Sequence, residues 1–238
     1  MSSGVRLVLF DIDGTVLDAG GSGRWAMTRA FEEVFELPDA EPFSRPVRFD
    51  GMTDPGILQA IAANAGIAAD RLASRKADLQ QAFLRHLERR LADTPGRRAL
   101  PGVVELLDRL TGVGMAATGL ATGNIEPGAR LKLGSVGLSD YFTLGGFGGD
   151  APDRAGIGRV AREKFEARLG RAIPPPDVVL VGDSLEDIRS ARANGYRSLA
   201  VGTGWVGRDA LRAMEPDLFV DDLSNFGSVM QFLFGSRG

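Results

Sequence analysis

The sequence contains no cysteine and a single histidine, His86, among its 238 residues. Without cysteine the protein has no disulfides, thiol nucleophiles or thiolate metal sites, which fits a reducing compartment. One histidine on a predicted helix surface excludes a Ser-His-Asp triad outside unusual variants. No apolar run is long enough to span a bilayer, and the N-terminus shows no charged leader or apolar signal core. We therefore expect a soluble cytoplasmic protein with no membrane partner.

The charges are nearly balanced and evenly interspersed along the chain. There are 28 Lys and Arg residues against 31 Asp and Glu residues, which gives a net charge of -3. No basic stripe indicates a nucleic-acid partner, and no block of like charge indicates a charged tail. With 44% hydrophobic residues, the chain can bury a sizeable core, as one large domain or as a domain with an insertion.

An apolar run near the N-terminus leads directly into two aspartates. Residues 7–10 are Leu-Val-Leu-Phe, Asp11 follows them, and Asp13 stands two positions further on, before Gly14. Such a run, bounded by a turn signal, is typical of a fully buried strand in a parallel sheet. Asp11 and Asp13 are predicted to project together at the carboxyl end of this strand, where open α/β sheets bind ligands. The plainer alternative is a strand that ends in an ordinary Asp-Gly turn.

Strands and helices alternate through the second half of the chain. This alternation predicts an α/β fold with a Rossmann-like parallel sheet that is covered by helices on both faces. The later strands are predicted at residues 115–121, 141–144, 178–181, 198–201 and 218–220. The intervening helices are predicted at residues 101–110, 127–136, 152–169 and 185–193.

Residues 19–97 interrupt this alternation with a block that is predicted to be all helical. Ser22 is expected to cap its first helix, and Thr53 or Asp54 its second, which has Pro55 in its first turn. Its predicted elements are helices at residues 24–36, 56–65 and 70–92 and a loop at 38–50.

Three polar turns follow three of the predicted strands. Because the carboxyl ends of parallel strands meet at one edge of a sheet, we expect these turns to lie together. Their carboxylates, hydroxyl and turn amides suit Mg²⁺ and a phosphate, and they favour phosphoryl transfer over hydride transfer. The turns are Asp11-Ile12-Asp13-Gly14-Thr15, Thr122-Gly123-Asn124, and Gly182-Asp183-Ser184 with Asp187.

The three turns resemble motifs of the haloacid dehalogenase superfamily, in particular its phosphoglycolate phosphatase-like hydrolases. They are similar to its first, second and fourth motifs, in chain order. The helical block of residues 19–97 is similar to the cap domain that these enzymes insert after the first motif, which leaves residues 1–18 and 98–238 as the catalytic core. The resemblance implies a Mg²⁺-dependent phosphatase that hydrolyses a small phosphorylated metabolite.

The resemblance also implies a role for each matched residue. Asp11 would attack phosphorus as the nucleophile, and Asp13 would act as general acid and base. Asp187 has two interpretations of equal weight, because its spacing from Ser184 is also that of a helix capping box. The implied metal ligands are Asp11, the main-chain carbonyl of Asp13, Asp183 and Asp187. The implied phosphate ligands are Thr122, Gly123 and Asn124.

A cation must offset the charges of the nucleophile and the phosphate, and it does not stand at the position that the resemblance implies. The chain has three lysines, of which Lys132 lies about two turns into the helix after Thr122. We predict that Lys132 is this cation. Arg154, at the start of a later helix, is the rival or a second phosphate ligand, and a surface role stays open for either residue.

Two other functions stay open at this stage. A sugar phosphomutase of the same superfamily would use the same pair of aspartates, and a catalytically silent phosphate-binding module would keep the fold without turnover. The intact acids disfavour the silent module. The presence of Asp13 disfavours a dehalogenase or phosphonatase, because the resemblance implies that those relatives replace this aspartate.

The helical cap is expected to close over the phosphate end of the substrate. The turn at residues 51–54 would then face the rest of a small substrate, although a plain helix start explains this turn equally well. Trp205 is interpreted as a core or loop packing residue. The glycines that would serve as hinges are Gly20, Gly21, Gly23 and Gly96.

Overall fold

A computed structural model describes residues 6–113 and 116–235, except for the side chain of Val113. Its strands are β1 (Arg6–Phe10), β2 (Leu17–Asp18), β3 (Arg98–Ala99), β4 (Ala116–Ala121), β5 (Gly145–Gly146), β6 (Val178–Gly182), β7 (Arg197–Val201) and β8 (Leu218–Val220). Its α-helices are α1 (Ser22–Phe35), α2 (Glu41–Ser44), α3 (Asp54–Asn64), α4 (Ala69–Ser74), α5 (Lys76–Asp93), α6 (Val103–Val113), α7 (Glu126–Gly134), α8 (Arg154–Leu169), α9 (Leu185–Ala193), α10 (Arg208–Ala213) and α11 (Phe226–Phe234). No helix in these ranges is both long enough and apolar enough to cross a membrane.

Six parallel strands form one sheet in the order β5-β4-β1-β6-β7-β8. The side chains of β1 alternate between its two faces, as the pleat requires. Val8 and Phe10 belong to a cluster that includes α6 and α11, whereas Leu7 and Leu9 belong to a second cluster with α8. The prediction of a parallel sheet with helices on both faces is therefore confirmed.

The helices α1 to α5 lie between the two strands of a short antiparallel ribbon. In this ribbon Leu17 of β2 pairs with Ala99 of β3. The chain therefore enters the segment α1 to α5 and leaves it at neighbouring positions, the two strands of this ribbon. The prediction that Ser22 caps α1 is wrong. Gly21 is the N-cap at a φ of 73°, which favours glycine, and the Ser22 hydroxyl donates to the Ala19 carbonyl at 2.6 Å.

The strand predicted at residues 141–144 is also wrong. Tyr141 ends a short 3₁₀ helix, and the edge strand β5 is the glycine pair that follows. A Cβ on Gly145 would lie 2.7 Å from the Leu120 Cβ, so glycine lets β5 approach β4 closely. The sequence pattern favoured branched and aromatic residues as strand formers and therefore placed the strand too early.

Two helical predictions and one side-chain prediction need correction. The helix predicted at residues 70–92 is divided at Arg75, where the backbone (φ −106°, ψ 11°) leaves the helical region. A single-residue break hardly changes the apolar spacing, so the pattern did not reveal it. The loop predicted at residues 38–50 contains α2, with Pro42 in its first turn. Trp205 is 64% exposed and does not pack in the core. The predicted strand start at Met115 lies outside the described residues.

Candidate active site

The three polar turns meet at one edge of the sheet because β4, β1 and β6 are adjacent strands. Gly14, with a φ of 78°, turns the chain away after β1. A cavity of about 330 Å³ lies at this edge. Thr122 and Asp187 are buried beside it without lining it. The other predicted site residues all line the cavity, and they are Asp11, Asp13, Gly123, Asn124, Lys132, Arg154 and Asp183.

A cluster of three buried carboxylates lies in this site. One oxygen from each of Asp11, Asp183 and Asp187 lies within 4.8 Å of the other two. Burial raises the pKa of Asp11 to about 6, although the charge of Arg154 opposes this. Burial, with the charges of Asp11 and Asp187, raises the pKa of Asp183 well above its usual range. This excess of negative charge on hard oxygen donors fits a divalent cation such as Mg²⁺.

Asp187 caps α9, and it also belongs to the carboxylate cluster. The Ser184 amide donates to Asp187 Oδ2 at 3.1 Å, and the Asp187 amide donates to Ser184 Oγ at 3.2 Å. These two bonds form the predicted capping box. The other carboxylate oxygen, Oδ1, accepts a hydrogen bond from Arg154. The capping interpretation is thus confirmed, and it does not exclude a role near a metal.

Lys132 and Asn124 together hold the carboxylate of Asp13. Lys132 Nζ, which is buried, donates to Asp13 Oδ2 at 2.5 Å and to Asn124 Oδ1 at 2.6 Å. Asn124 Nδ2 donates to Asp13 Oδ2 and to Thr122 Oγ1, at 2.9 Å in each case. The carboxylate of Asp13 is therefore held by the turn after β4 and by α7.

Arg154 is a second cation in the same site. It is buried at the start of α8 and donates to Asp11 Oδ1 at 3.3 Å and to Asp187. Burial lowers the pKa of Arg154, but the charges of Asp11 and Asp187 outweigh it and raise this pKa. The sequence left Lys132 and Arg154 as rival candidates for the cation, with Arg154 also considered as a second phosphate ligand. In the structure both line the cavity, and they contact different aspartates of the first motif, Asp13 and Asp11.

Two residues that position Asp183 were not identified from the sequence. Thr15 Oγ1 donates to Asp183 Oδ1 at 2.9 Å. A Cβ on Gly204 would lie 1.6 Å from Asp183 Oδ2, so the loop after β7 fits against this carboxylate only with glycine. Thr15 stands inside the first motif and could have been considered. No local sequence pattern marks Gly204, because the residue that it contacts, Asp183, is 21 positions away along the chain.

The turn at residues 51–54 docks the cap on the core. The Asp54 amide donates to the Gly123 carbonyl, and the Ile125 amide donates to Asp54 Oδ2, both at 2.8 Å. Burial raises the pKa of Asp54 to about 6. Thr53 caps α3 by accepting from the Gly56 amide at 3.1 Å, as predicted, and it does not line the cavity. The cap residues that line the cavity include Arg24, Met27, Phe49, Asp50, Gly51, Met52, Asp54 and Ile57.

A family model and the similar proteins of known sequence all indicate the same protein family. Residues 5–195 match the model of the haloacid dehalogenase-like hydrolases. The phosphoglycolate phosphatase of Agrobacterium fabrum is 28% identical over 225 residues, which cover 92% of this chain and 89% of that protein. The phosphoglycolate phosphatase of Nitrosospira multiformis is 30% identical over 226 residues, which cover 90% of this chain and 93% of that protein.

The fold also matches solved structures. The crystal structure of CbbY from Rhodobacter sphaeroides in complex with phosphate superposes with a TM-score of 0.73 at 20% identity, over 94% of this chain and 96% of that one. This likeness concerns the fold, whereas the family model matches the sequence over most of the chain. The protein therefore belongs to the haloacid dehalogenase-like hydrolase family, as an enzyme of its phosphatase type.

Proposed function

We propose that the protein hydrolyses a small phosphomonoester metabolite through an aspartyl-phosphate on Asp11, with Mg²⁺ as its cofactor. The observation that carries this proposal is the buried cluster of Asp11, Asp183 and Asp187 beside two cations, Lys132 and Arg154, at one cavity. Relatives named phosphoglycolate phosphatase support a small phosphorylated acid as the substrate. The absence of cysteine fits a cytoplasmic location.

The metal would be held by the carboxylates of Asp11 and Asp183 and the main-chain carbonyl of Asp13, with Asp187 as a further ligand or as the partner that orients them. Carboxylate and carbonyl oxygens are the ligands that Mg²⁺ prefers. When bound, Mg²⁺ supplies positive charge that offsets the carboxylates and the phosphate oxygens.

The chemistry divides between the two aspartates of the first motif. A carboxylate oxygen of Asp11 attacks phosphorus, the bond from phosphorus to the ester oxygen breaks, and Asp13 protonates that leaving oxygen. Asp13 then takes a proton from water, which attacks the phosphorus of the aspartyl-phosphate. Inorganic phosphate leaves and the Asp11 carboxylate is restored. Lys132 and Asn124 keep Asp13 oriented for both proton transfers.

Residues of the catalytic core would offset the negative charge of the phosphoryl group. Lys132 and Arg154 supply positive charge, since each already contacts one of the two reacting aspartates. The amides of Gly123 and Asn124 and the hydroxyl of Thr122 would bind phosphoryl oxygens. Such positioning and neutralisation carry most of the catalysis of phosphoryl transfer.

Phosphate release from a panel of small phosphomonoesters, with and without Mg²⁺, tests the proposal. We expect release that requires Mg²⁺ and stops after chelation. Transfer of phosphate between two positions of a sugar phosphate, without net release, would favour the phosphomutase. Phosphate binding without turnover of any ester would favour the silent module.

A further inference from the structure

In the described part of the chain, three cations line the cavity, and one of them forms no ion pair with a carboxylate there. Lys132 pairs with Asp13, and Arg154 pairs with Asp11. Arg24 lies on α1, in the cap. Within residues 6–113 and 116–235, no carboxylate oxygen lies within 4.0 Å of its guanidinium nitrogens.

The guanidinium of Arg24 is nevertheless held in place. Nη1 donates to the Ser44 carbonyl at 2.7 Å, and Nη2 donates to the Val47 carbonyl at 2.9 Å. The Phe49 ring covers one face, with its centroid 3.9 Å from the Arg24 Cζ. These contacts fix the group but leave its charge intact, because both oxygen partners are neutral. A guanidinium has five N–H donors, so further donors remain for a ligand.

The two cap carboxylates at the cavity, those of Asp50 and Asp54, do not form an ion pair with the Arg24 guanidinium. Burial lowers the pKa of Arg24, and the charge of Asp50 only opposes this effect. The Asp50 carboxylate itself pairs with Arg48 at 3.3 Å. The Asp54 carboxylate, which also lines the cavity, accepts from the Ile125 amide of the core. An anion that entered the cavity would therefore find Arg24 already oriented and partly desolvated.

We propose that Arg24 is a specificity-determining residue that binds a second anionic group of the substrate, a carboxylate or a second phosphate. This inference rests on the proposed function, in which the reacting phosphoryl group lies at Asp11. Arginine suits the task because its planar fork matches the two oxygens of a carboxylate or phosphate. Its fixed position lowers the entropy that binding would cost.

The apolar residues beside Arg24 would strengthen this contact. Met27, Phe49 and Met52 line the same cavity and keep water away from the far end of a bound substrate. An ion pair is stronger where water is excluded. A substrate that carried a neutral group at this end would leave the charge of Arg24 without a partner, and the enzyme would discriminate against it.

The test compares two esters that share the reacting phosphate and differ at the other end. 2-Phosphoglycolate has a carboxylate there, and 2-hydroxyethyl phosphate has a neutral hydroxyl. In Arg24→Met we expect kcat/KM for 2-phosphoglycolate to fall by about 10- to 100-fold, mainly through KM. We expect kcat/KM for 2-hydroxyethyl phosphate to stay almost unchanged, and Arg24→Lys to restore part of the loss for 2-phosphoglycolate. The matched control is Arg29→Met on the same helix, whose guanidinium pairs with Glu32 and does not line the cavity.

A second arm identifies the anion. A sugar bisphosphate and its matching monophosphate replace the first pair of esters. The pair with the larger preference in kcat/KM that depends on Arg24 shows whether the second anionic group is a carboxylate or a phosphate. If wild type prefers neither ester with a second anionic group over the partner that lacks this group, the inference is overturned. It is overturned equally if Arg24→Met lowers both members of a pair alike while the melting temperature falls, because Arg24 would then only hold residues 44–49.

Binding separates this inference from the proposed function. In an Asp11→Asn background, calorimetric titration with 2-phosphoglycolate and 2-hydroxyethyl phosphate measures recognition without turnover. A preference for the first that Arg24→Met abolishes supports the inference even if no ester is hydrolysed by wild type. Release of phosphate without any such preference in binding supports the proposed function and overturns the inference.

Discussion

The cavity has two walls that differ in how their charges are satisfied. On the core wall, Lys132, Asn124 and Asp13 are joined in one network, and Arg154 joins Asp11 to Asp187. The cap wall is mostly apolar. There the Arg24 guanidinium contacts two neutral carbonyls and the Phe49 ring, and it forms no ion pair with the carboxylates of the described residues.

The difference indicates where the chemistry and the selectivity lie. Charged groups that already hold one another are fixed before a substrate arrives, which is what electrostatic catalysis requires. A cationic side chain that is fixed in position and has no ion-pair partner can bind an anionic group of a ligand. The core wall is therefore suited to any phosphoryl group, and the cap wall to a particular substrate.

The largest effect is expected from removing the nucleophile on the core wall. Asp11→Asn should lower kcat by at least about 10⁴-fold, the scale on which enzymes lose rate with a covalent nucleophile. Steady-state phosphate release at saturating Mg²⁺ measures this, with thermal unfolding to check the fold. Asp140→Asn, at an exposed aspartate, is the control. Turnover by Asp11→Asn close to that of wild type would contradict the assigned role.

The second test decides between the two cations of the core wall. Lys132→Met should lower kcat by roughly 10²-fold, because Asp13 and the phosphoryl group lose a positive charge. Lys164→Met is the matched control, since Lys164 pairs with Asp150 and does not line the cavity. If Arg154→Met reproduces the loss and Lys132→Met does not, the roles of the two cations are reversed.

The third test disturbs the core wall without removing a charge. Gly204→Ala would place a Cβ 1.6 Å from Asp183 Oδ2 and must displace that carboxylate. We expect the apparent Mg²⁺ affinity to weaken by about 10- to 100-fold, as when other supports of metal ligands are lost. Mg²⁺ dependence of the rate measures it. Gly207→Ala, with no atom within 4 Å of the added Cβ, should behave as wild type, and equal effects of the two changes would refute the explanation.

The last test measures stability and not activity. It concerns Asp54, a cap residue that is hydrogen-bonded to the core. Its pKa in the folded protein is about 6, above the ordinary 3.8, because burial favours the protonated form. The stability that Asp54 contributes is then fully present below about pH 3.8 and is lost as the pH rises through about 6.

Denaturant unfolding of wild type and Asp54→Asn across this range measures the contribution. The difference in unfolding free energy, wild type minus variant, should fall by up to about 3 kcal/mol between acid and neutral pH. Asp70→Asn, at an exposed cap carboxylate, controls for the loss of one negative charge. A difference that is constant with pH, or that grows with it, would contradict the raised pKa.

The sequence by itself determined where the reactive groups of the core lie along the chain. Asp11, Thr122 and Asp183 follow strands whose apolar runs are readable locally, and parallel strands bring their carboxyl ends to one edge. The capping box of Ser184 and Asp187 was readable for the same reason, because its partners stand three positions apart. The extent of the helical cap remains a prediction, although the β2–β3 ribbon pairs Asp18 with Arg98.

Only the tertiary structure decided which groups became partners. Sequence spacing could not show that Lys132 reaches Asp13 while Arg154 reaches Asp11, because each pair is more than 100 positions apart. Nor could it show that β5 is a glycine pair, or that Gly204 fits against Asp183, since close approach between distant segments leaves no local pattern. Arg24 looks like any helical arginine in the sequence. That no described carboxylate pairs with it depends on where those carboxylates lie, and packing between distant segments fixes those distances.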